Sequence, residues 1–489
     1  MERLVGFIYR VYLSRTLGAE SIAVYQIALS VVGVVVTLIS SGIPITVSRL
    51  ILKERANKNP VGEQEVVSAG ILTSIAISLP ITLALYLFKD KVCVMFADPR
   101  CMDVLLAILP GITVTGVYAV IRGYFWGNRQ YLRYSLIELA EEVVMATAGV
   151  LLVSSMKDRA DGGRLAGVAV FISYVFSFVV STLVFVFGSG RLKNPLRRIK
   201  PLVISSSPIT AMRTLSSLSS TLVALVLPVR LIHYGAPTAQ AMTAFGEFSG
   251  MAMPLLFIPS TVIGSIALVT VPEVSGSFYE KNYRSLSETV VRSTEYSMLL
   301  SAVIVPIFVS CGRRICLFLY GSEQAGVYLA VSAITMLPMS LSMITTSLLN
   351  SVNKERSTLI NYLLGAGAMF LIIFFTPKII GVYALFLGHI VSFSLSSVLN
   401  LITLKKTLSV TADPPKKAIL RLVAVAFSSA FGLALSGIVK PLPDILFIVT
   451  VAAFTLVFEC VTLICFGLLD VKSIFGKLFV KRSAKTAKT

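Results

Sequence analysis

Five arginines fall within or beside apolar stretches of the chain where charge is expensive, Arg3, Arg10, Arg122, Arg213 and Arg292, and of these Arg3, Arg10 and Arg213 are the candidates to face a cavity. A basic side chain near the centre of a membrane helix costs about 2.5–3.5 kcal/mol, so such a residue either serves a purpose or reaches an interface. Arg3 and Arg10 are seven residues apart, two helical turns, and share one helix face. That face is expected to look into a wet cavity rather than lipid. Arg213 lies in the most hydroxyl-rich apolar run, between Ser205 and Thr221. Small hydroxyl residues permit close helix packing, but an arginine together with Pro208 favours a face that lines water. All eight aspartates fall in loops or at helix ends, and the acids left deep in apolar runs are Glu138, Glu141, Glu142, Glu247, Glu295 and Glu459. Arg122 precedes the turn 127–133 by five residues and Glu138 follows it by five, which on an antiparallel hairpin puts them at one depth. Two readings stand for that pair. One is a structural lock between neighbouring helices. The other is a gating or ion-coupling site made of Arg122, Glu138 and Glu142, with Glu247 placed to pair with Arg213. Glu295 and Glu459 read as packing or interface charges.

Other chemistries lack their residues. Six cysteines form no CxxC pair and only two histidines exist, so no metal site is expected. The chain has no GxxxxGK[ST] phosphate loop and no Ser/His/Cys set for nucleophilic catalysis, so neither a cofactor nor an enzymatic activity is expected.

The elements that must position these residues are membrane helices. Of 489 residues, 56% are hydrophobic and 14% charged, against about 25% charged in soluble domains. Runs long enough to span fall near 22–41, 66–88, 104–126, 134–155, 165–187, 202–227, 243–271, 286–310, 325–349, 358–376, 379–403, 418–438 and 444–469. With the arginine-bearing opening stretch as the first helix, the fold class is an all-α, multi-pass membrane protein of about 14 spans. The net charge of +19 sorts by side rather than marking a nucleic-acid partner. With the N-terminus inside, 26 of the 43 basic residues fall in inner loops and the tail and 12 in outer loops. This bias puts both termini in the cytoplasm of a cell membrane, with anionic lipid as the partner of the inner loops and tail. The run 197–200 reads as solvated, lipid-facing charge.

Two landmarks recur at nearly one offset. Pro44 and Pro272 are expected to end their helices and lie 228 residues apart; Asn128 and Asn353 follow helices and lie 225 apart. An even number of helices separates the copies, so they are parallel repeats, an architecture of transporters with the site at the repeat interface. The expected division is a lobe at 1–190, a basic linker at 191–200, a second six-helix lobe at 201–407, two further helices at 408–470, and a basic tail at 471–489.

Five motifs in order carry a resemblance that covers essentially the whole chain: Gly6-Phe7-Ile8-Tyr9-Arg10, Leu17-Gly18-Ala19-Glu20, Gly42-Ile43-Pro44, Arg122-Gly123-Tyr124-Phe125-Trp126-Gly127 and Gly250-Met251-Ala252-Met253-Pro254. The set resembles the stage V sporulation protein B-like polysaccharide transporters, of the flippase superfamily that includes the lipid II flippases. The resemblance implies two six-helix lobes plus two helices, and a lipid-linked glycan as substrate. It also implies that Arg3 and Arg10 match basic positions that hold a lipid pyrophosphate. In that family the first helix begins well before the Gly-Phe motif, so this chain is expected to lack the first half of that helix. The function expected is secondary transport of an anionic polyprenyl-pyrophosphate-linked oligosaccharide or peptidoglycan precursor from inner to outer leaflet. Its rivals are a multidrug cation antiporter of the same superfamily and a non-transporting envelope scaffold that recruits cell-wall synthases through the basic tail.

Overall fold

The computed structural model describes residues 2–156, 158–188, 190–408 and 415–469. The basic tail therefore lies outside the described residues. Those described form helices and turns without a strand. Twelve segments among them are long and apolar enough to cross a membrane. The expected count of about fourteen agrees with this, for two reasons. The first of the twelve holds two antiparallel rods, and Tyr131–Ser154 falls outside the twelve because Glu138, Glu141 and Glu142 charge it.

We number the rods in chain order. The helix Glu2–Ser40 breaks at Gly18 into α1 (2–17) and α2 (19–40), and Ile43–Ala56 continues α2 after a bend at Ser41 and Gly42. Next come α3 (Pro60–Leu87), α4 (Arg100–Gly127), α5 (Tyr131–Ser154), α6 (Gly162–Phe187) and α7 (Leu196–His233). The rod α8 (238–279) is built of Thr238–Phe245, a π-helical stretch Gly246–Ala252, Met253–Phe257 and Ser260–Tyr279. It is followed by α9 (Tyr283–Tyr320), α10 (Glu323–Ser351), α11 (Glu355–Phe375), α12 (Tyr383–Leu408), α13 (Pro415–Ile438) and α14 (Asp444–Cys465).

Gly18 reverses the chain. Its φ of 80° and ψ of 171° belong to a region open essentially to glycine alone. Before it, α1 runs alongside α5 in the same direction: Gly6 lies against Glu142, Tyr9 against Gly149, and the Tyr12 hydroxyl donates to the Val150 carbonyl at 3.3 Å. After it, α2 runs back, from Ser21 donating to the Arg159 carbonyl to Ser40 accepting from Arg122. Leu17 packs on Gly162, and Glu20 pairs with Arg100 at the start of α4.

Two compact units divide the chain: Met1–Met251 with Ile373–Val382, and Ala252–Ile372 with Tyr383–Thr489. In the first, Val47 and Ile51 of α2, Val66 of α3, Val120 of α4 and Leu202 of α7 are fully buried in one cluster. Close backbone approach lets the rods in: a Cβ at Gly123 would lie 2.6 Å from the Pro44 carbonyl oxygen, and one at Gly42 would lie 2.5 Å from that of Ser206. In the second unit, Val274 of α8, Val290 of α9, Leu348 of α10 and Leu404 of α12 form a core. Cys311 of α9 joins Phe447 and Val451 of α14 in another.

The repeat is visible in the turns. Lys58 and Arg129 adopt φ of 54° and 57°, and Lys281 and Asn353 adopt 57° and 60°, at offsets of 223 and 224 residues. Asn59 and Asn282 cap the helices that follow, accepting from the Gly62 and Ser285 amides. The two prolines, however, do not end their helices. Pro44 starts the continuation of α2 to Ala56, where its missing N–H costs nothing, and Pro272 sits inside a helix that runs on to Tyr279.

Candidate functional site

Arg3, Gly6 and Arg10 lie at spacings of three and four residues and form one stripe of α1. The missing side chain of Gly6 admits Glu142 of α5: a Cβ there would collide with its Oε1. Glu142 therefore sits against the arginine stripe, and Tyr25 of α2 lies within electrostatic reach of both Arg10 and Glu142. Arg3 is exposed and Arg10 half-buried. An anion approaching this stripe meets two cations and one carboxylate.

Arg213 is exposed on α7. That helix packs antiparallel on α2, with the Thr221 hydroxyl donating to the Ser30 carbonyl at 2.8 Å and Ser217 facing Gly33. The register places Arg213 level with Thr37. Among the described residues neither Arg10 nor Arg213 forms an ion pair. The expected pairing of Arg213 with Glu247 does not occur. Glu247 belongs to the π-helical stretch whose Gly246 packs on Ala19 and Ala23. At 1.5 Å per residue that is roughly 25 Å along α2 from Arg213.

Arg122 and Glu138 do meet, as their equal distance from the turn implies. Arg122 Nη1 lies 3.5 Å from Glu138 Oε1, Nη2 donates to the Ser40 carbonyl at 3.2 Å, and the guanidinium covers the Trp126 ring at 5.3 Å. Ser40 ends the first part of α2, so Arg122 satisfies a carbonyl that the bend leaves without a helical partner. Arg122 Nε is buried without a partner. These groups border a partly open cavity of about 160 Å³, lined by Ser40, Tyr118, Arg122, Glu138, Glu141 and Tyr174 among others. That is room for several waters. Tyr118 is 4% exposed, and its hydroxyl has no partner.

Three charge clusters escaped sequence reasoning. Arg198, read as solvated, instead spans two buried-to-half-buried acids: Nη1 and Nη2 reach Glu54 at 2.7 and 2.8 Å and Nε reaches Glu65 at 3.2 Å. Arg55 chelates Glu63 and bonds Asn128 nearby. Arg100 bridges Asp98 and Glu20. Arg421, counted as an inner-loop charge, is 2% exposed within α13. Of the acids read as packing charges, Glu295 pairs with Lys417 at 2.5 Å. Glu459 is fully buried in α14 with neither oxygen hydrogen-bonded.

Comparison with known proteins places this arrangement in a lineage. Residues 1–278 match the family model described as polysaccharide biosynthesis protein. Stage V sporulation protein B of Bacillus subtilis (strain 168) is 24% identical over 428 residues, 84% of this chain and 82% of that protein. The lipid II flippase MurJ of the same organism is 20% identical over 406 residues, 75% of this chain and 73% of that one. Among solved structures, the lipid II flippase MurJ in an inward closed conformation superposes with a TM-score of 0.72 at 12% identity, covering 94% of this chain and 97% of that one. An inward-facing multidrug resistance MATE family transporter of the MOP superfamily gives 0.69 at 16% identity, covering 84% and 95%. These likenesses establish a shared fold. The chain is a multi-pass membrane protein of the polysaccharide biosynthesis protein family.

Proposed function

We propose that the chain is a secondary flippase for an anionic, polyprenyl-pyrophosphate-linked oligosaccharide or peptidoglycan precursor, moved from the inner to the outer leaflet. The observation that carries this reading is that Arg10 and Arg213 stand in membrane-spanning helices with no ion pair among the described residues. A guanidinium without an ion pair in a membrane-spanning helix calls for an anionic guest or for water. Family membership and the names of the two relatives support the same class of substrate. Arg3, Arg10 and Arg213 would hold phosphate oxygens, which guanidinium groups match in charge and shape. Arg122, Glu138, Glu142 and Glu247 would serve gating or ion coupling. With cytoplasmic termini, a negative interior favours export of an anion by about 2.3 kcal/mol per charge per 100 mV, so two net charges crossing gain roughly 4–5 kcal/mol.

A cation antiporter is the second reading, and the Glu138–Glu141 cavity is what favours it. A depletion strain separates the two. Lipid-linked precursor should accumulate in the inner leaflet on depletion, wild type should restore its export, and Arg10→Ala and Arg213→Ala should not. An unchanged leaflet distribution in a strain without redundant transporters would remove the flippase reading.

A further inference from the structure

We propose that the cavity among α2, α4, α5 and α6 is a proton-binding site, with the Glu141 carboxyl as the group that takes the proton. The cavity is lined by one guanidinium, Arg122, and two carboxylates, Glu138 and Glu141. Arg122 is already engaged by Glu138 and by the Ser40 carbonyl. With both acids ionised, the half-buried cavity holds one negative charge more than it has cations, an arrangement that burial penalises. One added positive charge closes the account.

The hydrogen-bond directions point the same way. The Ser177 hydroxyl lies beside the Glu141 carboxyl and 3.2 Å from the Tyr174 carbonyl. A hydroxyl both donates and accepts, so while it donates to that carbonyl its oxygen can take a hydrogen bond from a neutral carboxylic acid. The Tyr118 hydroxyl, buried and unpartnered at the cavity wall, is the donor left for the ionised form. Glu141 thus has an acceptor for its protonated state and a donor for its charged state. The other groups acting on it are Glu138 and Glu142 on its own helix, Arg122 from α4 and Tyr174 from α6, with Arg10 and Tyr25 beyond Glu142.

A proton fits better than a metal cation. No cluster of acidic, histidine or cysteine side chains among the described residues has the spacing to hold a metal ion, and the guanidinium in the same cavity repels a second compact cation. Proton uptake converts the carboxylate to the acid and leaves Arg122–Glu138 as a balanced pair. Proton loss sets two carboxylates competing for Arg122, which draws the guanidinium from the Ser40 carbonyl at the bend of α2. The site stands without a substrate; only its coupling to transport rests on the flippase reading.

Infrared difference spectroscopy of the full chain in lipid, stepped from high to low pH, tests the site without any ligand. The carbonyl stretch of a protonated carboxylic acid should grow as pH falls, and the part of it lost in Glu141→Gln reports this site. Glu138→Gln should keep that band and titrate at lower pH by about 1–3 units, because Arg122 then faces Glu141 alone. Ser177→Ala should keep the band at an altered frequency, which guards against misreading a misfolded Glu141→Gln. Identical difference spectra for wild type and a folded Glu141→Gln overturn the site, as does a Glu138→Gln titration that does not move. In the leaflet assay, Glu141→Gln should abolish the pH dependence of export. No export by wild type, with the infrared band intact, would refute the flippase reading alone.

Discussion

Arg198→Ala should destabilise the first compact unit by about 3 kcal/mol, the low end of the range for breaking a buried ion pair. The low end applies because Arg198 keeps 26% of its side chain exposed while Glu54 keeps 5%. The mutation removes three charge-assisted contacts, two to Glu54 and one to Glu65, and leaves the Glu54 carboxylate with the Asn59 amide at 2.8 Å. Most of the cost is the stranded carboxylate. Glu54→Gln should therefore cost less, about 1–1.5 kcal/mol, since Arg198 retains Glu65. The double variant should be more stable than Arg198→Ala alone by about 1 kcal/mol, which together with the cost of Glu54→Gln makes a coupling of about 2–2.5 kcal/mol, within the range for directly bonded partners. Thermal unfolding of the four proteins in detergent closes the cycle, and Arg198→Ala should melt about 6–12 °C below wild type for a unit of this size. Strict additivity of the two single changes would refute the reasoning, because it would mean that the pair is solvated in solution.

Gly18→Ala should cost about 1–3 kcal/mol through backbone conformation alone, since a Cβ there meets nothing within 4 Å. Gly264→Ala, equally open but in ordinary helix, should be neutral or stabilising, and equal melting shifts for the two would contradict the assignment. Burial alone would raise the Asp98 carboxyl, but the Arg100 guanidinium and backbone amide outweigh it and hold it below its ordinary value of 3.8. A lowered folded value gives stability that is complete above 3.8 and lost as pH falls through the folded value. The melting difference between wild type and Asp98→Asn should thus be constant near neutrality and vanish only in strong acid. Glu142→Gln should tighten binding of a polyprenyl pyrophosphate. A carboxylate about 8 Å from a bound anion would, at an effective dielectric of 20, repel each negative charge by about 2 kcal/mol. Unchanged or weaker binding, measured by titration into purified protein, would show that Glu142 does not act on the arginine stripe.

The parts of this molecule that could be read from sequence were those set by local geometry. Arg122 and Glu138 meet because a short turn fixes the register of α4 and α5, so equal distance from the turn means equal depth. The spans were found but drawn short, for instance 286–310 for a helix that runs from Tyr283 to Tyr320. Apolar runs mark only the stretch that lipid covers, whereas caps such as Asn282 and the left-handed Gly321 set the ends. The motifs were legible as a set and opaque one by one. Gly18 makes a reversal, Glu20 anchors it through Arg100, and Gly42 and Gly123 admit neighbouring backbones. None of these roles can be seen without the partner helix.

For Arg198, and for Arg100 where it reaches Glu20, the contact was missed because the partner lies far along the chain. Arg198 and Glu54 are 144 residues apart, and a basic run at a helix start looks the same whether it meets lipid, water or a distant acid. The acidic stripe shows the limit from the other side. Glu138, Glu141 and Glu142 were visible together, yet successive residues differ by about 100° around a helix. That turn sends Glu142 to the arginines of α1 while Glu138 and Glu141 border the cavity beside α4. One stripe thus divides between two surroundings: Glu142 lies against the arginine-bearing face of α1, and the other two border the cavity at Arg122. Neutralising Glu142 and neutralising Glu141 should therefore change different properties, anion affinity in the first case and pH response in the second, although the two residues are adjacent in the chain.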